Sequence, residues 1–249
     1  MKRAADRHHT GWALSSPGSM LRAMSGPSSS PPSPGPLGDR PKLPAHPDVT
    51  IESSQRVWNG RFPLDVVRFR HRRFDGSQSG LRTWELWRRG RAAALLPYDP
   101  TSDAVILIEQ FRLPALAAGL DPVLWEIPAG LLDRPESAEA TAVRETQEEA
   151  GLVPDRVESI GDILLTPGGC DEVCSLFVGR VRVPATDTGG NAGMAGLAVE
   201  NEDIRVRVWP AVEAVEAALA GRFPNAVTMV ALLWFAARRD WLRQEWART

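Results

Sequence analysis

The hydrophobic pattern separates a leading stretch without periodicity from a long region where short alternating or aliphatic runs surround isolated helical segments. Val49-Thr50-Ile51-Glu52-Ser53, Leu64–Arg70 and Arg82–Trp87 alternate at the period of two that half-buried strands require. Asp75-Gly76 marks the turn between the last two. Ala92–Leu96 and Ala104–Glu109 are continuous aliphatic runs joined by Pro97-Tyr98-Asp99-Pro100, the pattern of strands buried on both faces at the centre of a sheet. Val123–Ile127, Val157–Leu165, Val173–Val183 and Ile204–Trp209 predict further strands. Ser137–Ala150 predicts a helix stopped by Gly151. Ala185–Ala198, rich in Gly, Thr and Ala, reads as a mobile loop. Two helices close the chain, Ala211–Ala220 and Ala226–Arg248, and Val230, Leu233, Trp234 and Ala237 are the expected apolar face of the second. Strands on either side of isolated helices predict an α/β or α+β sandwich preceded by antiparallel strands.

Composition changes this picture mainly at the N-terminus. From about Ser15 to Pro47 the chain is dominated by Ser, Pro and Gly and cannot bury enough apolar surface to offset its chain entropy, so residues 1–47 are expected to be a disordered tail. Met20 and Met24 lie inside it and offer alternative starts, which N-terminal sequencing of the native protein decides. The 43% hydrophobic content suffices for a core, and a net charge of −2 supplies no field that would draw the protein to nucleic acid or an anionic membrane. Met1-Lys2-Arg3 is followed by Asp6, Arg7, His8 and His9 where a secretory peptide needs an apolar run, so a cytoplasmic location is expected. The longest apolar stretch, Ala226–Ala237, falls short of the ~20 residues that span a bilayer. Cys170 and Cys174 have no second pair or neighbouring histidine and read as ordinary reduced thiols.

The chemistry concentrates in Gly130-Leu131-Leu132-Asp133-Arg134-Pro135-Glu136, followed after seven residues by Arg144-Glu145-Thr146-Gln147-Glu148-Glu149-Ala150-Gly151-Leu152. Helical geometry places Glu145 and Glu149 one turn apart on one face, with Glu148 beside both. Like charges at that spacing repel by a few tenths of a kcal/mol per pair, and a hard divalent cation reverses the sign. A solvated acidic face is the bland alternative for such a helix taken alone. The whole segment, however, resembles the Nudix box, G-x5-E-x7-R-E-U-x-E-E-x-G-U with U a bulky aliphatic residue, and departs from it only at Thr146, expected to face the sheet.

The resemblance implies a Nudix-type α/β/α sandwich with a mixed sheet and a pyrophosphohydrolase that uses Mg²⁺, with Mn²⁺ as substitute. It implies metal contacts from Glu145, Glu149 and the Ala129 carbonyl, support from Glu148, and orientation of helix and loop by Arg144 and Glu136, with Gly130 and Gly151 as structural glycines. Outside the box, Glu126-Ile127-Pro128-Ala129-Gly130, Ile108-Glu109-Gln110-Phe111-Arg112, Thr166-Pro167-Gly168-Gly169 and Glu200-Asn201-Glu202-Asp203-Ile204 look like the bacterial ADP-ribose pyrophosphatase subfamily. A nucleotide-sugar substrate follows, with ADP-ribose leading. GDP-mannose, a tellurite-resistance-associated relative and a non-catalytic ADP-ribose sensor are the rival readings.

By the same similarity Glu200 is the expected general base and Glu202 a further metal ligand, their order left open. Arg112 suits a forked grip on phosphate. Glu172 is a candidate for substrate positioning, a structural ion pair being the alternative. The subfamily exchanges its N-terminal strands between two subunits. Residues 48–90 are therefore expected to dimerise and 91–249 to form the catalytic domain, with Phe62, Trp84 and Glu85 meeting the nucleoside.

Overall fold

The computed structural model describes residues 42–183, 186, 190–196 and 202–246. Of the expected tail, residues 1–41 lie outside these, as does Glu200. The N-terminal strands β1 (Val49–Trp58), β2 (Leu64–His71) and β3 (Arg82–Trp87) form a three-stranded antiparallel sheet of their own. β1 runs five residues past its predicted end because Ser54-Gln55-Arg56-Val57-Trp58 is exposed on both faces, so pairing with β2 holds it and no apolar pattern marks it.

The second sheet has eight strands. Its path runs β10 (Asn191–Ala195), β11 (Ile204–Pro210), β5 (Ala104–Phe111), β4 (Arg91–Asp99), β9 (Val173–Arg180) and β8 (Arg156–Leu164), while β6 (Val123–Glu126) pairs with β5 and β7 (Ala129–Leu131) with β4. β4 and β9 are parallel and the other pairs antiparallel, giving the expected mixed sheet. The aliphatic run in β4 is continuous because both its faces are covered. Ala92, Ala94, Leu96 and Tyr98 pack with Ala214, Leu232 and Phe235 on one side, and Ala93 and Leu95 pack with Leu132 and Ala142 on the other. Helix α2 (Ala138–Ala150) thus covers one face, α3 (Ala211–Leu219) and α4 (Ala226–Trp246) the other. Among the described residues no helix is long and apolar enough to cross a membrane.

Four local expectations are corrected. β4 continues through Pro97-Tyr98-Asp99 because Tyr98 is fully buried 4.7 Å from the Phe235 ring and donates to Asp103, which moves the turn to residues 100–103. A five-residue helix α1, Leu113–Ala117, follows β5 unannounced by any periodicity. Within the segment read as a loop, β10 forms a bulged edge strand, with positive φ at Gly190 and Gly193 supplying the irregularity that the glycines had suggested was looseness. The face of α4 is also shifted. Val230 and Leu233 are exposed, while Thr228, Ala231, Leu232, Phe235, Leu242 and Trp246 are buried, because the first half of the helix is apolar all round and Thr228 Oγ1 is needed inside to accept the Ile127 N–H at 3.1 Å. Cys170 and Cys174 are free and buried.

Candidate functional site

Helix α2 is delimited as its sequence predicts. Ser137 accepts the Ala140 N–H at its start, and Gly151, at φ 68°, ends it in the left-handed conformation with its N–H on the Gln147 carbonyl. Thr146, the departure from the box, is fully buried and returns its hydroxyl to the Ala142 carbonyl at 2.7 Å, so it costs packing volume and leaves no unpaired polar atom.

Arg144 organises the acidic groups. Its Nε and Nη2 donate to Glu136 Oε1 at 3.0 and 2.9 Å, and its Nη1 lies 2.8 Å from both Glu145 Oε1 and Glu148 Oε2. Desolvation opposes the guanidinium's charge, yet Glu136 and Glu145 raise its proton affinity above the ordinary arginine range. One cation therefore fixes the loop before the helix and two carboxylates on it. Glu149 faces inward at 3% exposure and accepts the Ala129 N–H on Oε2 at 2.9 Å, joining α2 to β7. Its carboxyl is pushed up to about 8, chiefly by burial and then by Glu145 and Glu202. Burial also raises Glu145, against the pull of Arg144 and with help from Glu148 and Glu202.

Glu202, in the acidic stretch after β10, adds its negative charge to the surroundings of both Glu145 and Glu149. Gly196 brings that segment in: its N–H donates to the Glu148 carbonyl at 3.3 Å, and a Cβ on it would meet Glu202 Cβ at 2.8 Å.

The donors suit a hard divalent ion. Glu145 and Glu149 each spend one oxygen on a protein contact and keep a second, and their proton affinities are raised first by burial and then by neighbouring carboxylates. Among the described residues no group of three or more His, Cys, Asp or Glu side chains is placed to hold a metal ion by itself. An edge of this kind fits an ion that keeps water and takes oxygens from a substrate better than one needing a complete protein shell.

Arg112 lies beside this edge but is not free. It forks Glu126 Oε2 through Nε at 3.0 Å and Nη2 at 2.6 Å, and Glu149 and Glu202 add to the stabilisation of its charge. Glu126 is buried, and its other oxygen accepts Asn225 Nδ2 at 2.8 Å while Asn225 Oδ1 caps α4 through the Thr228 N–H. The motif that contains Glu126 implies no role for it in the sequence, and the signal for Asn225 is an Asn immediately before an apolar helical run. Asn225→Ala removes a cap worth about 1 kcal/mol and a bond to a buried charge worth about 1.5–3 kcal/mol. The expected loss of at least about 2 kcal/mol is checked by the urea midpoint at constant slope.

A cavity of ≈ 970 Å³ lies elsewhere and has no lining residue from α2. Phe62, Trp84 and Glu85 line it together, with Trp58, Trp87 and the Gly168-Gly169 loop. Glu172 is not among the lining residues; it pairs with Arg89 at 3.0 Å. The Arg89 guanidinium in turn sits 4.1 Å from the Phe62 ring centroid.

Comparison with known proteins decides the family. A NUDIX domain matches residues 88–232. This chain is a member of the Nudix family. The Nudix chain is 42% identical over 200 residues to an ADP-ribose pyrophosphatase of Escherichia coli, covering 80% of this chain and 93% of that one. It is 32% identical over 159 residues to a GDP-mannose pyrophosphatase of Yersinia enterocolitica, covering 64% and 80% respectively. A solved structure described as an ADP compounds hydrolase superposes with a TM-score of 0.58 at 21% identity, over 82% of this chain and 98% of that one, and shares the Nudix fold. Nudix hydrolases work with a divalent metal ion, in keeping with the acidic edge on α2.

Proposed function

We propose that this Nudix enzyme hydrolyses the diphosphate of ADP-ribose to AMP and ribose 5-phosphate. The observation that carries the reading is the inward pair Glu145 and Glu149, charge-crowded with Glu202 and set on the Arg144–Glu136 clamp. Mg²⁺, replaceable by Mn²⁺, is the proposed ion, held by Glu145, Glu149, Glu202 and the Ala129 carbonyl. When bound it neutralises charge developing on the phosphates and acidifies water.

The protein's own groups supply the rest. Glu148 supports the ligand pair and Arg144 keeps Glu145 and Glu148 oriented. Glu200 is the proposed base. It takes a proton from the attacking water as the new P–O bond forms, and the bridging oxygen leaves with one phosphate. Arg112, fixed by Glu126, presents its charge to the diphosphate, while Phe62 and Trp84 hold the base and Glu85 the ribose hydroxyls.

The E. coli relative favours ADP-ribose, and the Yersinia relative makes GDP-mannose the second substrate to test. With Mg²⁺ and each nucleotide sugar in turn, AMP and ribose 5-phosphate are the expected products, with kcat/KM for ADP-ribose at least about tenfold above GDP-mannose. The reverse preference replaces the substrate assignment.

A homodimer with exchanged N-terminal strands in the cytoplasm is proposed as the working form. The N-terminal sheet supports it by leaving Val57 at 50%, Trp58 at 65%, Trp84 at 47% and Trp87 at 44% exposure. Light scattering is expected to give twice the chain mass. A stable, active monomer removes the shared-site reading.

A further inference from the structure

The N-terminal sheet meets the catalytic body at a junction built around one buried arginine. Arg88 is 6% exposed and divides its guanidinium between two carboxylates from different parts of the fold. Nη1 donates to Asp65 Oδ2 on β2 at 3.0 Å, and Nε donates to Asp171 Oδ2, just before β9, at 2.7 Å. Asp65 is itself 4% exposed and also accepts Arg56 Nε from β1 at 3.0 Å. Asp171 uses its other oxygen to accept the N–H groups of Arg89 and Gly90 at 2.6 and 3.0 Å. The backbone continues the seam, with Trp87 N–H on the Gly169 carbonyl at 2.8 Å and Asp171 N–H on the Trp87 carbonyl at 3.2 Å.

A junction needed only for stability would not require these charges. A buried ion pair replaced by well-packed apolar residues is often neutral or better, whereas a planar guanidinium held at two nitrogens sets distance and angle. What this junction sets is identifiable. Trp84 and Glu85 lie on the strand that leads into Arg88, and Gly168 and Gly169 lie on the loop that leads into Asp171. These four residues all line the 970 Å³ cavity, where Gly169 lies against the Glu85 backbone.

We infer that Arg88, bridging Asp65 and Asp171, is a positioning residue that fixes the spacing between the aromatic wall and the glycine loop and so sets the grip on the substrate's base. The inference rests on the proposed nucleotide-sugar activity for its ligand and concerns a residue that touches no substrate. Lysine is a poor replacement, because a single ammonium has no rigid fork with which to hold the two carboxylates at a set angle.

The test measures AMP binding by calorimetry and ADP-ribose kinetics for Arg88→Gln and Arg88→Lys, alone and with Trp84→Ala. Arg88→Gln is expected to raise both the AMP Kd and the ADP-ribose KM by at least about tenfold with kcat within about twofold. In the Trp84→Ala background, the same change is expected to move the AMP Kd by less than about threefold, since the wall it positions has gone. Full additivity, a fall in kcat at constant KM, or unchanged AMP binding overturns the inference. Circular dichroism checks folding. If Arg88→Gln does not fold, Arg88→Lys carries the same comparison and is expected to lose at least about fivefold in AMP affinity. A wild-type protein whose AMP affinity depends on Arg88 in this way but which does not cleave ADP-ribose removes the substrate assignment and leaves this inference standing.

Discussion

Glu149→Gln is expected to lower ADP-ribose turnover by more than about a hundredfold, since even groups behind a metal ligand cost 10–100-fold when lost, and to stabilise the metal-free protein at alkaline pH. The amide keeps the shape of the side chain and can still accept the Ala129 N–H, so the helix remains joined to β7. The sign of the stability effect follows from proton uptake. With its carboxyl raised from 4.5 to about 8, the folded chain binds a proton more tightly than the unfolded chain does. Wild-type stability in chelator therefore falls as pH climbs from about 4.5 to about 8, at up to about 1.4 kcal/mol per pH unit, and is flat beyond. Glutamine has no such slope. Thermal melts in chelator are expected to place the variant above wild type at pH 8.5, with the difference closing towards pH 4.5. Adding Mg²⁺ is expected to raise the wild-type midpoint and leave the variant's almost still. A variant retaining more than about a tenth of the wild-type rate sinks the ligand assignment.

Gly130→Ala is the second large effect. A Cβ at this position would lie 1.9 Å from Glu145 Oε1 and 2.0 Å from its Cδ, an overlap that no small adjustment relieves. The carboxylate has little freedom to withdraw, because Arg144 Nη1 holds the same oxygen at 2.8 Å. A methyl group thus displaces one of the two inward carboxylates by more than an ångström. Misplacement on that scale costs about a hundredfold in rate, and the crowding costs about 1–3 kcal/mol of stability. Kinetics and urea unfolding of Gly130→Ala, Glu145→Ala and the double variant separate the causes. The double variant is expected to be as stable as Glu145→Ala alone; full additivity of the two destabilisations would place the clash elsewhere.

The parts of this site legible in the sequence are those encoded at short range. Gly130, Glu136, Arg144, Glu145, Glu148 and Glu149 fall within one short strand, the loop after it and one helix, and on the helix a fixed rise and twist convert spacing directly into direction. The strands of the central sheet were legible for a similar reason, since burial on both faces writes an unbroken aliphatic run. Long-range partners were not. Glu126 meets Asn225 across 99 positions, and Arg88 meets Asp171 across 83, separations over which no local pattern specifies a contact. The α4 face failed for a different reason: Ala226–Ala237 is apolar around its whole circumference, so only packing against the sheet selects the buried stripe. Glycine at 190 and 193 signalled freedom of φ, which a bulged edge strand uses as readily as a loop.

Strand order also determines when the site can first exist on a growing chain. α2 leaves the ribosome before β9, which lies alongside β4 in the middle of the sheet, and long before β11, which borders β5. Until residues near 210 have been made, the carboxylate helix has no finished floor, and its aliphatic strands wait without their neighbours. Such distant pairings make for slow folding that exposes unpaired edges in the interim. Nascent chains arrested before β11 should therefore be protease-sensitive and catalytically silent even with every residue of the acidic helix already in place.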